Sequence, residues 1–365
     1  MSGLISRLRR KTRHAQQLKK INFNDCRPAL LPQALLSSTY WRLFSRGQWR
    51  KLFNFTRAEV SRFLGSENCG GRPYFLSVEP VNYCNLKCPL CSIGYLPSRD
   101  TLDFGLYKRM LEQLGPYVAR MELYKRGEPL LHPQIIPMLE LAASYGIETT
   151  VATNLNVLPA GGARALAKSG VNVLIVSLDG ATQETYQKYR VGGRLETVLE
   201  NTRELARARK ELGRKTPFIL MQYVVFRHNE HELDEAVKLA RDCGADQLMF
   251  KPAFIPDDKK EMEAWAPLNR EFVPGSGHIV EDGSCAWPWG GLNVFADATV
   301  SLCYVDEKCR WPLKDMLDSG FRDWNGALER AARRAIISRE TGNCGACGDA
   351  PCGACRAFGR TNFWI

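Results

Sequence analysis

From Pro73 onward short apolar runs alternate with helix-periodic stretches, and that rhythm constrains the fold more than any other property of the chain. Residues 75–78, 120–124, 148–152, 173–177, 218–225 and 247–251 have the length and composition of strands. Stretches such as 133–145, 195–212 and 232–243 instead repeat their apolar residues at helical spacing. Parallel strands need long crossover connections, usually helices, so six strand–helix repeats predict parallel α/β layering. Chemistry in such folds collects at the carboxyl ends of the strands. With 365 residues, 45% of them hydrophobic, the chain can bury a sizeable core, and its length suits two or three domains.

The first strand runs into Asn82-Tyr83-Cys84-Asn85-Leu86-Lys87-Cys88-Pro89-Leu90-Cys91, a C-x3-C-x2-C loop. Three thiolates are one short of the four that usually hold a [4Fe–4S] cube, so a cube bound here keeps one iron free for another ligand. Zinc is the competing reading, but zinc wants four ligands and no histidine stands nearby to complete the set. The spacing, after an apolar strand and ahead of a helix, resembles the radical S-adenosylmethionine (radical SAM) superfamily. That resemblance implies that the open iron binds the amino and carboxylate groups of S-adenosylmethionine. Reductive cleavage then yields methionine and a 5′-deoxyadenosyl radical, which abstracts hydrogen from a substrate. It further implies an α/β fold, a partial (β/α)6 barrel, and a reductant such as flavodoxin or ferredoxin.

The second strand ends in Lys125-Arg126-Gly127-Glu128-Pro129, similar to the family's Gly-Glu-Pro element that meets the amino group of the cofactor. Gly127 would let the backbone approach, and Glu128 offers an acceptor to an ammonium. The third strand ends in Thr153-Asn154 and the fourth in Ser177-Leu178-Asp179-Gly180, which resembles the family's ribose- and methionyl-contacting strand end. Ordinary loop capping is the alternative for these residues. Arg190 stands where some relatives pair an arginine with the cofactor carboxylate, and is otherwise a surface cation. Leu90 takes a position where many relatives carry an aromatic residue against adenine. Lys251, at the end of the sixth strand, and Asp306 are candidates for proton transfer or substrate contact, and otherwise solvated loop charges.

The last third of the chain departs from the strand–helix rhythm and holds seven more cysteines. Cys285 and Cys303 bracket an interval that reads as a hairpin bringing both thiols together. Cys344, Cys347, Cys352 and Cys355 follow as C-x2-C-x4-C-x2-C. This resembles the auxiliary-cluster extensions called SPASM and, in the shorter form, twitch. By that resemblance Cys285, Cys303, Cys344 and Cys347 ligate an auxiliary [4Fe–4S] cluster. Cys309, Cys352 and Cys355 are left over for a second one, and a structural zinc site is the alternative for the tail. Cys309 is also the spare thiol that an epimerase would use as hydrogen donor. Cys26, Cys69 and Cys243 are isolated, Cys243 reading as a packed helix end. The expected division is a basic helical segment over 1–72, the partial barrel over 73–255 and a small cysteine-rich auxiliary-cluster domain over 256–365.

Thirteen cysteines grouped largely in such loops are poor material for disulfides, and no apolar run suits a signal peptide or a membrane span, which predicts a cytoplasmic chain. Residues 1–72 hold fifteen Lys/Arg against three Asp/Glu while the whole chain carries +11, so the remainder is close to neutral. Trp49, Phe53, Val60 and Phe63 recur at helical spacing among Arg46, Arg50, Lys51, Arg57 and Arg62. That stripe predicts either a helix packed on the core with a solvated basic face, or one lying on an anionic membrane. Nucleic acid is disfavoured, since no recognisable binding motif accompanies the basic residues.

The Cys285–Cys303 interval with a close C-x2-C resembles enzymes that oxidise or epimerise cyclitols and sugars. The expected reaction is therefore hydrogen abstraction from a small hydroxylated, carbohydrate-like substrate, with the auxiliary cluster accepting an electron. The alternatives are an epimerase, an enzyme of lipid-linked substrates, a peptide maturase or, outside catalysis, an iron–sulfur electron carrier.

Overall fold

The computed structural model describes residues 38–91, 98–253, 255, 258–272, 286–302 and 310–337. Cys26, Cys285, Cys303, Asp306, Cys309, Cys344, Cys347, Cys352 and Cys355 lie outside the described residues. The six expected strands are present as β1 (Phe75–Val78), β2 (Arg120–Leu123), β3 (Glu148–Thr153), β4 (Val173–Ser177), β5 (Phe218–Val225) and β6 (Gln247–Pro252). Three more follow: β7 (Gly291–Val294), β8 (Thr299–Ser301) and β9 (Trp311–Pro312). They form one sheet in the order β6-β5-β4-β3-β2-β1-β7-β8-β9, parallel from β6 through β7 and antiparallel at the β8 and β9 edge.

The helices are α1 (Ser38–Ser45), α2 (Trp49–Phe63), α3 (Phe104–Leu114), α4 (Ile135–Ser144), α5 (Gly162–Lys168), α6 (Gln183–Tyr189), α7 (Leu195–Glu211), α8 (Leu233–Asp242), α9 (Lys259–Trp265), α10 (Trp287–Gly290), α11 (Leu313–Asp318) and α12 (Ala327–Ile337). Their boundaries follow local chemistry. Asp103 caps α3 by accepting from the Leu106 N–H, and Thr182 with Thr185 closes a capping box on α6. On α7 the buried residues Leu195, Val198, Leu199, Thr202 and Leu205 share one face at helical spacing.

All five residues of β4 are buried, as expected of a parallel strand covered on both sides. Met121, Leu123, Val151, Leu174 and Val176 join the main core, whereas Val173, Ile175 and Leu220 form a separate small apolar cluster. The alternation places successive residues of a strand on opposite faces, so Glu122 shares neither face nor core with its neighbours Met121 and Leu123.

The C-terminal region is tied into this sheet. β7 pairs in parallel with β1, Phe75 opposite Gly291 and Val78 opposite Val294. β7 and β8 form the antiparallel hairpin expected between Cys285 and Cys303, with Asn293 opposite Ser301.

Helix α2 packs on the core, yet through a different face from the one its aromatic periodicity suggests. The buried side chains are Lys51, Leu52, Asn54, Phe55, Ala58, Glu59 and Ser61, while Trp49, Phe53 and Phe63 are exposed. Polar residues occupy this seat because each finds a partner. Lys51 Nζ donates to the Tyr145 carbonyl at 2.7 Å, Glu59 accepts from the Tyr74 hydroxyl at 2.6 Å, and Asn54 both donates to the Arg72 carbonyl and accepts from its N–H. At Gly71 an added Cβ would lie 2.6 Å from the Asn54 carbonyl, so only glycine permits this close approach. No described helix is long and apolar enough to cross a membrane.

Candidate active site

The strand ends predicted to carry chemistry converge on a cleft of about 720 Å³ at the carboxyl edge of the sheet. Its walls include Cys84, Cys88, Cys91, Gly127, Glu128, Asn154, Ser177 and Arg190. The loop after β1 is held at both ends. Asn82 Nδ2 donates to Asp100 Oδ2 at 2.8 Å and Asn82 Oδ1 accepts from the Asp100 N–H at 2.6 Å, while the Lys87 N–H donates to the Val191 carbonyl at 3.0 Å. Gly127 lies directly against the backbone of the cysteine loop. A Cβ there would stand 2.0 Å from the Val81 carbonyl oxygen, so the residue lets the strand end lie directly against the cysteine loop. The Glu128 N–H then donates to the Tyr83 carbonyl at 2.9 Å. Pro129 begins a short 3-10 turn that Glu128 caps.

Glu128 is buried, and its carboxylate already accepts from the Thr153 hydroxyl at 2.7 Å, the Asn154 N–H at 2.8 Å and the Leu130 N–H at 3.2 Å. A carboxylate has about four acceptor positions, so one remains for an incoming ammonium. Burial pushes its carboxyl upward, against the pull of those three hydrogen bonds. Thr153 is committed to this network, and it also accepts from the Leu155 N–H at 2.9 Å.

Two donors flank the thiols. Asn154 Nδ2 lies 3.5 Å from Cys84 Sγ and 2.9 Å from Asn85 Oδ1, and Arg190 Nη1 lies 3.8 Å from Cys88 Sγ. Arg190 is fixed by Asp179, whose Oδ2 accepts from its Nε at 2.6 Å. Asp179 Oδ1 also accepts from the Val224 N–H at 2.6 Å. These bonds hold Asp179 in the left-handed region at φ 45°, where aspartate is better tolerated than most side chains. Burial pushes the Cys84 thiol up to about 11 and raises Cys88, so forming either thiolate calls for added positive charge such as a bound metal would bring. No trio of cysteine, histidine or acidic side chains among the described residues is gathered for a single ion. A cube, whose thiolates bind separate irons, makes no demand that they converge on one point.

Lys251 sits at the end of β6, opposite Val224 in the register and next to the strand end that Asp179 holds. Burial pulls its ammonium down to about 8, while Asp179 and Glu122 act in the other direction. Leu90 packs with Phe226, Ala253 and Ile255 and is no ring surface for adenine. Cys243 is buried, its thiol 3.3 Å from the Ala240 carbonyl, as a packed helix end.

The sequence reading missed one buried ion pair at this edge. Arg126 Nε and Nη2 meet Glu79 Oε1 and Oε2 at 2.7 and 3.0 Å, and Glu79 also accepts from the Ala296 N–H at 3.2 Å. Phe295 stands beside the pair, with Arg126 and Lys125 each 5.4 Å from its ring centre and Arg310 at 3.7 Å. The ends of β1, β2 and β7 are thereby joined. The only trace in the sequence is a glutamate closing an otherwise apolar strand.

Thiols on one loop, donors beside their sulfurs and a cofactor-sized cleft at the strand ends define a site built for an iron–sulfur group and a polar cofactor. Residues 78–240 match the Radical SAM superfamily model, so this span of the chain is a radical SAM domain. Such a domain implies a [4Fe–4S] cluster and S-adenosylmethionine. Among its relatives, the GTP 3′,8-cyclase of Picosynechococcus sp. is 29% identical over 67% of this chain and 85% of the relative. The PqqA peptide cyclase of Ruegeria pomeroyi is 24% identical over 64% of this chain and 68% of the relative. The fold is similar to that of Streptococcus suis SuiB bound to S-adenosylmethionine, with TM-score 0.57 and 16% identity over 79% of this chain and 73% of that one.

Proposed function

We propose that this radical SAM enzyme abstracts hydrogen from a peptide substrate, with its cofactor held in the cleft between the cysteine loop and the ends of β2 to β4. The observation that carries the cofactor site is the gathering of Cys84, Cys88 and Cys91 with Glu128, Asn154, Ser177 and Arg190 around one cavity. Cys84, Cys88 and Cys91 fit a three-thiolate cluster site. When bound, the reduced cluster supplies the electron that cleaves S-adenosylmethionine to methionine and a 5′-deoxyadenosyl radical. Glu128 offers its free lone pair to the methionyl ammonium, and Arg190, oriented by Asp179, offers guanidinium N–H groups to the carboxylate. Ser177 presents a hydroxyl to ribose. Lys251 is the candidate proton acceptor after hydrogen abstraction, since burial lowers its ammonium to about 8 and so eases access to the neutral form.

The peptide alternative is better supported than the carbohydrate-like substrate by the relatives named above, one of which is a peptide cyclase. The GTP 3′,8-cyclase keeps a small-molecule substrate as the second reading. The β7–β8 hairpin supports an auxiliary cluster on Cys285, Cys303, Cys344 and Cys347, and Asp306 and Cys309 remain candidates beside it. The substrate class is tested by isotope transfer. Deuterated peptide pools should pass deuterium into 5′-deoxyadenosine, whereas label arriving only from deuterated cyclitols, sugars or nucleotides would overturn the peptide reading.

A further inference from the structure

The edge of the sheet opposite the cysteine loop carries a second concave feature that the chemistry above does not use. A cleft of about 500 Å³ opens at the amino ends of β1 and β2, lined by Arg50, Arg57, Arg72 and Arg322 together with Phe53 and Tyr117. None of these four guanidiniums has a carboxylate within salt-bridge distance among the described residues. They are ordered by neutral groups instead. Arg50 Nη2 donates to the Tyr117 hydroxyl at 2.7 Å, and the Tyr117 ring lies 4.7 Å from the Arg50 guanidinium and 5.0 Å from that of Arg72. Arg57 lies 5.6 Å from the Phe53 ring, and Arg322 Nε donates to the Ser319 carbonyl at 2.9 Å. Four preorganised, uncompensated arginines favour an oxyanion, phosphate above all.

Exposed aromatic residues on α1 and α2 narrow the source of such an anion. Trp41, Phe44, Trp49 and Phe53 are between 45% and 65% exposed. The first three form one edge-to-face row, with ring centres 5.7 Å apart for Trp41 and Phe44 and 5.3 Å for Phe44 and Trp49. Soluble chains seldom leave such a row in water, and tryptophan beside arginine suits the boundary between headgroups and acyl chains. The chain's own first 37 residues do not complement the cleft, since they hold eight Lys/Arg against one Asp. Like the cleft, they are drawn to negative charge.

We infer that this face docks the enzyme on an anionic phospholipid surface, with lipid phosphates in the arginine cleft and the α1–α2 aromatic row in the headgroup boundary. The cysteine loop lies at the other edge of the sheet, so docking leaves the catalytic cleft facing the aqueous side.

The test is co-sedimentation of the full-length, cluster-reconstituted protein with vesicles of phosphatidylcholine alone or of phosphatidylcholine with phosphatidylglycerol. Binding is expected to be far stronger to the anionic vesicles, with only the salt-resistant remainder on phosphatidylcholine alone. Arg50→Glu with Arg57→Glu should weaken it about 25-fold or more, at roughly fivefold per arginine. Trp49→Ser with Phe53→Ser should remove the part that survives 1 M salt, where the Debye length is about 3 Å. Both double variants should keep wild-type circular dichroism and S-adenosylmethionine cleavage. Equal binding to both vesicle types would overturn the inference. So would unchanged binding by both variants, since the basic residues near Arg7 would then hold the membrane. If inorganic phosphate raises the melting temperature while vesicles are ignored, the cleft serves a soluble anion and the membrane inference fails.

Discussion

Asp179 Oδ2 accepts from Arg190 Nε at 2.6 Å, and the same guanidinium reaches to 3.8 Å from Cys88 Sγ. One ion pair therefore couples the end of β4 to the cysteine loop and aims a cation into the cleft. Asp179→Asn removes the charge that holds Arg190 while the Val224 N–H keeps an acceptor. Breaking a buried pair this way should cost about 3–5 kcal/mol of stability, read from denaturant melts. S-adenosylmethionine cleavage should fall about tenfold or more, the equivalent of at least about 1.4 kcal/mol in the barrier. Cleavage at the wild-type rate would show that Arg190 positions nothing in the cleft.

Gly127→Ala should displace the cysteine loop. The new methyl would fall 2.0 Å from the Val81 carbonyl oxygen, and neither backbone can retreat without breaking the hydrogen bond from the Glu128 N–H to the Tyr83 carbonyl. The expected outcome is a folded protein that takes up less iron on reconstitution and cleaves little cofactor. Wild-type iron content would contradict this reading of the glycine.

Arg333 on α12 is fully buried and donates to the carbonyls of Pro288, Glu67 and Trp324 and to Asn325 Oδ1, at 2.8 to 2.9 Å. It thereby ties the N-terminal segment to the turn that enters β7. Arg333→Met leaves several buried acceptors unpaired and should cost about 3 kcal/mol or more, measured by chemical denaturation. A loss below about 0.5 kcal/mol, the size of an ordinary surface change, would refute the role.

His132 accepts from the Gln134 N–H at Nδ1 and meets the Leu102 carbonyl through Nε2, so the neutral ring satisfies both contacts and a second ring proton would face an N–H. Burial holds its pKa below the ordinary 6.5. The unfolded chain therefore binds this proton first as pH falls, and stability contributed above pH 6.5 is lost progressively below it, down to the depressed folded value. His132→Gln should lower stability at neutral pH by about 1–2 kcal/mol and flatten part of the acid slope. His228, likewise depressed by burial, retains the rest. An unchanged slope in melts from pH 7.5 to 5 would refute the assignment.

The strands were legible because burial leaves apolar runs that periodicity detects, and the six helix-linked strands begin where the sequence placed them, at Phe75, Arg120, Glu148, Val173, Phe218 and Gln247. The cysteine loop stood out because its three thiols lie within eight residues of one another in the chain. The pair Glu79–Arg126 was not, since its members are 47 residues apart and only folding sets them side by side. The stripe of Trp49, Phe53 and Phe63 misled for a related reason. Helical spacing shows which residues share a face, not whether that face turns inward, and on α2 the inward face is chosen by partners supplied from Tyr74, Arg72 and Tyr145. Gly127 was found by its motif, but its reason lies in the Val81 carbonyl across the cleft wall.

The most direct test of the account is anaerobic turnover by reconstituted full-length protein with dithionite and S-adenosylmethionine, beside Cys88→Ala. Wild-type protein should release methionine and 5′-deoxyadenosine in equal amounts. The variant should release neither above background, because a loop with two thiols cannot hold the cube whose open iron binds the cofactor. Equal 5′-deoxyadenosine from both proteins, or none from a wild type that carries iron, would contradict the assignment of this cleft.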